Sequence, residues 1–220
     1  MFGSSMKWAK LIIAILLLPV CYGAAVALWL VVKASGGADV VWVATLAGAA
    51  CWLVIFLLLP KPMWVYVFGH ELTHVLWTWL FGGSVRKFKA SRDGGHVIVT
   101  RNNFLIALAP YFFPLYAVLV VLVFITGHWI WNWRNYQIWF HLFLGAAYGF
   151  HVTLTWYILK HEQSDISGQG YLFSAVIIFL GNVTVLLIGI PLLTSKVDVA
   201  TALRWWLHSI QSVVLWFLKL

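Results

Sequence analysis

The chain has 220 residues, 63% of them hydrophobic and only 9% charged, with a mean hydropathy of +0.94. A soluble domain of this size carries about 25% charged residues, so the composition excludes an ordinary water-soluble fold and points to a polytopic membrane protein. The excess of 14 Lys and Arg over 6 Asp and Glu does not indicate nucleic acid, because the basic residues fall in loops between apolar runs, where they act as topology signals and contacts for anionic lipid.

Six stretches are long and apolar enough for a bilayer that needs about 20 helical residues: Trp8–Val32, Val40–Leu59, Met63–Phe81, Phe104–Thr126, Tyr136–Leu159 and Gly170–Leu193. The first follows Lys7 and Lys10 but outruns a signal-peptide core, so it is read as a retained span. Cys21 and Cys51 lie in the first two spans and read as small buried hydrophobes. Pro60-Lys61-Pro62 separates the second span from the third, since proline cannot continue a helix. Gly82–Asn103 holds two short alternating runs between glycine pairs, the pattern of a β-hairpin. That hairpin is either a connector or a strand edge for an extended peptide. Its Arg86, Lys87, Lys89, Arg92 and Arg101 place it in the cytoplasm. Asp198–Leu220 carries Val199, Leu203, Trp206, Leu207, Ile210, Val213, Val214 and Phe217 on one face, as expected of an interfacial helix.

The expected architecture is therefore an all-α polytopic membrane protein of about six transmembrane helices, a small β-hairpin loop and a C-terminal interfacial helix. It divides into two N-terminal spans (1–62), a membrane core (63–195, with the hairpin at 82–103) and an amphipathic C-terminal helix (196–220). The expected location is multi-pass in the bacterial inner (cytoplasmic) membrane.

Within the third span stands His70-Glu71-Leu72-Thr73-His74. Residues i and i+4 share a helix face about 6 Å apart along the axis, so both imidazoles can bind one cation. Glu71 is rotated by about 100° from His70 and can serve water rather than the metal. Two His ligands with a Glu general base is the zinc-peptidase arrangement, and an ionisable Glu at membrane depth, costing about 3 kcal/mol, is kept mainly for function.

A catalytic zinc takes a third protein ligand. Besides Glu71 the carboxylates are Asp39, Asp93, Glu162, Asp165 and Asp198. Asp165, in the polar break between spans five and six, is preferred; it must dip inward to reach the metal, which Gly168 and Gly170 allow. His151 is the rival, lying about 13 Å from the end of the fifth span, at the depth of the zinc plane. Asn182 in the sixth span is a buried amide, placed either to bond a neighbouring helix or to orient substrate. Pro110 and Pro114 loosen span four and free carbonyls beside the site. His96, His128, His141, His161 and His208 read as interfacial or solvated.

These residues resemble the intramembrane zinc metalloproteases of the site-two protease family. The likeness rests on the His70–His74 motif in a span, Gly82-Gly83-Ser84-Val85 soon after it, a basic glycine-hinged loop, a proline-bearing span, and an Asp before glycine two spans later. It covers about Met63 to Gly170. The resemblance implies Zn2+ held by His70, His74 and Asp165, water activated by Glu71, and cleavage of a transmembrane peptide substrate within the lipid bilayer. The family's downstream Asn-Pro-x-Pro-x-x-Asp-Gly is replaced by Gln163-Ser164-Asp165-Ile166-Ser167-Gly168, so the chain reads as a divergent member. Substrate choice then rests on membrane elements or membrane partner proteins. Two other classes use the same residues. One is a non-proteolytic zinc-binding scaffold with a closed four-ligand site that includes His151. The other is a metal or proton transporter, for which inverted repeats would be expected; none is visible.

Overall fold

The computed structural model describes residues 2–91 and 94–219; Arg92 of the basic loop and Asp93 lie outside the described residues. The chain is mostly helical. Its helices are α1 (Phe2–Leu16), α2 (Leu18–Ala34), α3 (Asp39–Leu58), α4 (Met63–Leu80), α5 (Phe104–Leu108), α6 (Leu115–Trp131), α7 (Gln137–Ile158), α8 (Ser164–Ser167), α9 (Tyr171–Thr194) and α10 (Val199–Phe217). Strands β1 (Val85–Ser91) and β2 (Gly94–Val99) form one antiparallel hairpin. Short 3-10 turns follow α5 and α6.

Among the described residues three helical runs are long and apolar enough to cross a membrane: Met6–Ala34, Asp39–Leu58 and Tyr171–Thr194. A fourth joins them if Phe104–Tyr111 and Leu115–Trp131, bent by 77°, count as one span. The remaining two of the six expected spans are α4 and α7. Their polar residues lower the hydropathy: His70, Glu71 and His74 in α4, Gln137, His141 and His151 in α7.

Contacts divide the chain into two units, Val40–Gln163 and Met1–Asp39 with Ser164–Leu220. In the first, α3 and α7 run side by side in the same direction. Trp52 packs against Phe150 with ring centroids 5.0 Å apart and planes tilted by 52°, and donates its indole N–H to Thr153 Oγ1 at 2.8 Å; one turn further on Phe56 meets Tyr157. The helices approach closely because Gly48 faces the Leu142 carbonyl and Gly145 faces that of Thr45. His141 lies one turn before Gly145, on the face that meets α3; it is only 8% exposed, which corrects the interfacial reading. Cys51 on α3 is exposed, not buried. α6 and α7 form an antiparallel pair in which Phe124 stacks on Phe140 at 4.3 Å.

α4 ends in a Schellman turn. Gly83 donates its N–H to the Thr78 carbonyl, and Gly82, at φ +69°, donates to that of Trp79. The hairpin that follows pairs Phe88 with Val97 and Ala90 with Gly95. Phe88 meets Phe68 of α4, and Ala90 packs against the core of Tyr66, Val67 and Leu154. Lys87, Lys89 and His96 alternate onto the opposite face.

In the second unit, α1 and α2 form one run interrupted at Leu17, two residues before Pro19. The run lies alongside α9: Lys10 Nζ donates to Gln169 Oε1 at 2.6 Å, Ala14 packs on Phe173 and Val176, and Thr194 donates to Ser35 Oγ at 3.2 Å. α10 packs part of its apolar face on α2, with Ile210 over Gly23 and the Trp206 indole N–H on the Val20 carbonyl at 3.0 Å. Leu203, Leu207 and Val214 remain exposed, and the side chain of Phe217 lies outside the described residues. Asp198 caps α10, accepting from the N–H and hydroxyl of Thr201. The hydroxyl, first, and the N–H hold its carboxyl below the usual carboxylate range. The cap is therefore fully formed above about pH 4 and is lost as pH falls through the lowered folded value.

A Cβ at position 145 would lie 1.9 Å from the Thr45 carbonyl oxygen, a backbone atom that cannot turn aside. Gly145→Ala should therefore cost about 2 kcal/mol, although alanine is the better helix former. Gly149→Ala, whose nearest neighbour is a Trp52 ring carbon at 3.2 Å, should be near neutral. Thermal melting in detergent measures both.

Candidate metal centre

α4 starts directly after Pro62 and carries the whole His-Glu-x-x-His motif in regular helix. His70 and His74 therefore share a face: their ring centroids are 5.0 Å apart, with planes at 76°. Both are half-buried. His70 and Tyr111, a fully buried ring, meet in a T-shaped pair with centroids 5.3 Å apart.

His74 Nδ1 lies 2.9 Å from the Ile106 carbonyl oxygen. A carbonyl can only accept, so Nδ1 carries the proton and Nε2 keeps its lone pair for a metal. The origin of this acceptor is legible in the sequence. In a continuing helix the Ile106 carbonyl would accept from residue 110, but residue 110 is proline and has no N–H. The carbonyl of Leu105 is taken by Ala109 N–H, and Asn103 Oδ1 caps the start of α5 by accepting from Ile106 N–H at 2.9 Å. The short α5 is thus held at both ends with one carbonyl turned to the motif.

Gly69 precedes His70 because the Tyr116 ring lies on it; a Cβ there would come within 2.6 Å of Tyr116 Cε2. The Tyr116 hydroxyl donates to the Val65 carbonyl, tying α6 to α4 one turn before the motif. Glu71 lies on the neighbouring face of α4, about 100° round the helix from His70, next to Gly95 of the hairpin, and is only 7% exposed. Beside His70 a cavity of about 20 Å³ is lined by Tyr66, His70, Thr73, Tyr116 and His151, among others. That is room for a single water molecule.

Asp165, the expected third ligand, is half-buried. Asp165 sits in the four-residue α8. The turn after α8 ends at Gly170, whose φ of +94° suits glycine alone. His151, the rival ligand, is buried on α7 and shares the small cavity with His70. Asn182 donates to the Ile178 carbonyl one turn back in its own helix, at 2.9 Å. Sequence reading missed Ile106 and Tyr116, which touch the motif helix through backbone and ring. The signal for Ile106 was the proline four residues on.

Comparison of the chain with protein-family models, with curated proteins and with solved structures gives no match.

If the Ile106 carbonyl fixes the His74 tautomer, giving residue 110 an N–H should compete with it. Pro110→Ala should weaken metal binding roughly 10-fold in competition with a chelator. Pro114→Ala should not, because a helical N–H at 114 would seek the carbonyl of residue 110 instead.

Proposed function

We propose that this chain is an intramembrane zinc metalloendopeptidase that cleaves peptide bonds of membrane-spanning or membrane-associated substrates. The observation that carries the reading is the pairing of two imidazoles on one helix face, one of them with its tautomer set for a metal, with a buried carboxylate between them in sequence. Helices apolar enough to cross a membrane support a site working at membrane depth.

In this reading His70, His74 and Asp165 hold the ion, and the donor set of two imidazoles and one carboxylate suits zinc with an open fourth position. Zinc bound there supplies Lewis acidity towards water and towards a scissile carbonyl. Glu71 takes a proton from the attacking water as its oxygen bonds the carbonyl carbon, and returns that proton to the amine nitrogen as the C–N bond breaks. A peptide bond inside a helix is shielded, so the substrate must unwind near the site. Among the described residues β2 pairs only with β1, which supports the reading that the outer edge of Val97–Thr100, made of the end of β2 and the residue after it, takes up an extended substrate segment.

Glu71→Gln should keep its zinc, measured on the purified protein, and lose about 10³-fold in cleavage of a single-span membrane reporter. His74→Ala and Asp165→Ala should both lose zinc, with His151→Ala milder. Wild-type cleavage by Glu71→Gln would end the proteolytic reading. Zinc retained by Asp165→Ala but lost by His151→Ala would exchange the third ligand.

A further inference from the structure

The glycine pair Gly94-Gly95 opens β2, and the two residues are glycine for different reasons. Gly94 has φ +135° with nothing near its missing side chain, so its backbone conformation demands glycine. Gly95 has no positive φ. Its constraint is space: a Cβ there would lie 2.5 Å from Glu71 Cγ and 2.8 Å from Glu71 Oε1. The same Cβ would also come within 2.8 Å of the Lys89 carbonyl oxygen across the hairpin. The strand cannot back away freely, because Phe88 and Ala90 of its partner are packed onto α4.

We propose that Gly95 is a positioning residue for Glu71: the strand lies on the side chain of the carboxylate, and only a hydrogen at this place lets β2 seat there. The proposal rests on the reading of Glu71 as the general base. The strand closes one side of Glu71, blocks rotation of Cγ towards the hairpin and accounts for its burial. A methyl group at position 95 pushes the Glu71 side chain aside while the two imidazoles on the neighbouring face stay in place. A displacement of about 1 Å at a catalytic group is worth roughly 10²-fold in rate.

The test is a pairwise cycle on the full chain in lipid nanodiscs, with Gly95→Ala made in the wild type and in Glu71→Ala. In the wild type, Gly95→Ala should keep zinc, lower the melting temperature by roughly 3 °C, and reduce reporter turnover by roughly 10²-fold with KM within about twofold. In the Glu71→Ala background the melting loss should be clearly smaller, since the Glu71 contact is gone and only the contact with the Lys89 carbonyl remains. An equal melting loss in both backgrounds would assign the constraint to the Lys89 carbonyl and overturn the proposal, as would unchanged turnover in active Gly95→Ala. If the wild type cleaves no reporter, the reading of Glu71 as a base fails, while the melting cycle still decides the Gly95–Glu71 contact.

Discussion

The candidate centre depends on one hydrogen bond, from His74 Nδ1 to the carbonyl of Ile106. An imidazole free to choose its tautomer offers a lone pair at either nitrogen, and a ring free to spin offers it in many directions. A backbone carbonyl removes both freedoms without adding a titrating group. It does so at small cost, because the carbonyl was left without its helical donor by Pro110. Asn103, α5 and Pro110 together are the mount for one imidazole nitrogen, and the fixed ring of His74 in turn sets where a cation shared with His70 can sit.

Around that bond, close backbone approach is a recurring device. Gly69 under Tyr116, Gly95 over Glu71, and Gly48 and Gly145 between α3 and α7 each replace a side chain by contact with a neighbouring element. In hydrocarbon there is no hydrophobic drive to press helices together, so contact area and shape must do it. Glycine is costly within a helix in water, by up to about 1 kcal/mol relative to alanine. Here the closer packing it allows outweighs that preference.

Features with a local signature were legible in the sequence. The motif in α4, the proline break before it and the hairpin with its turn residues all rest on i, i+4 or period-2 patterns that need no knowledge of distant contacts. The hairpin extends two residues further towards its turn on each strand than the alternating runs suggested, since Ala90, Ser91, Gly94 and Gly95 pair although none is a strong strand former. Features decided by contact were not legible. His141 reads as interfacial from its place near a span end, but the face it shares with Gly145 buries it. The amphipathic pattern of α10 shows that one face is apolar, and cannot say that α2 takes up Trp206 and Ile210 while Leu203 and Leu207 stay outside. Asp165 has no motif of its own, and the turn that ends at Gly170 has no periodicity to announce it.

The break between α5 and α6 has a consequence for backbone solvation. A helix interrupted in an apolar setting exposes N–H groups that no water can satisfy, each at a cost of several kcal/mol. This break contains two prolines, which bring no N–H at all, and the amides around them are engaged: Phe112 and Phe113 both donate to the Ala109 carbonyl, and Leu115 donates to that of Phe113. Proline, usually counted as the breaker, here also makes the break tolerable, because the two positions where a donor would be stranded have none. Amide exchange across residues 112–115 would thus resemble that of an intact helix, even though the chain axis turns by 77° there.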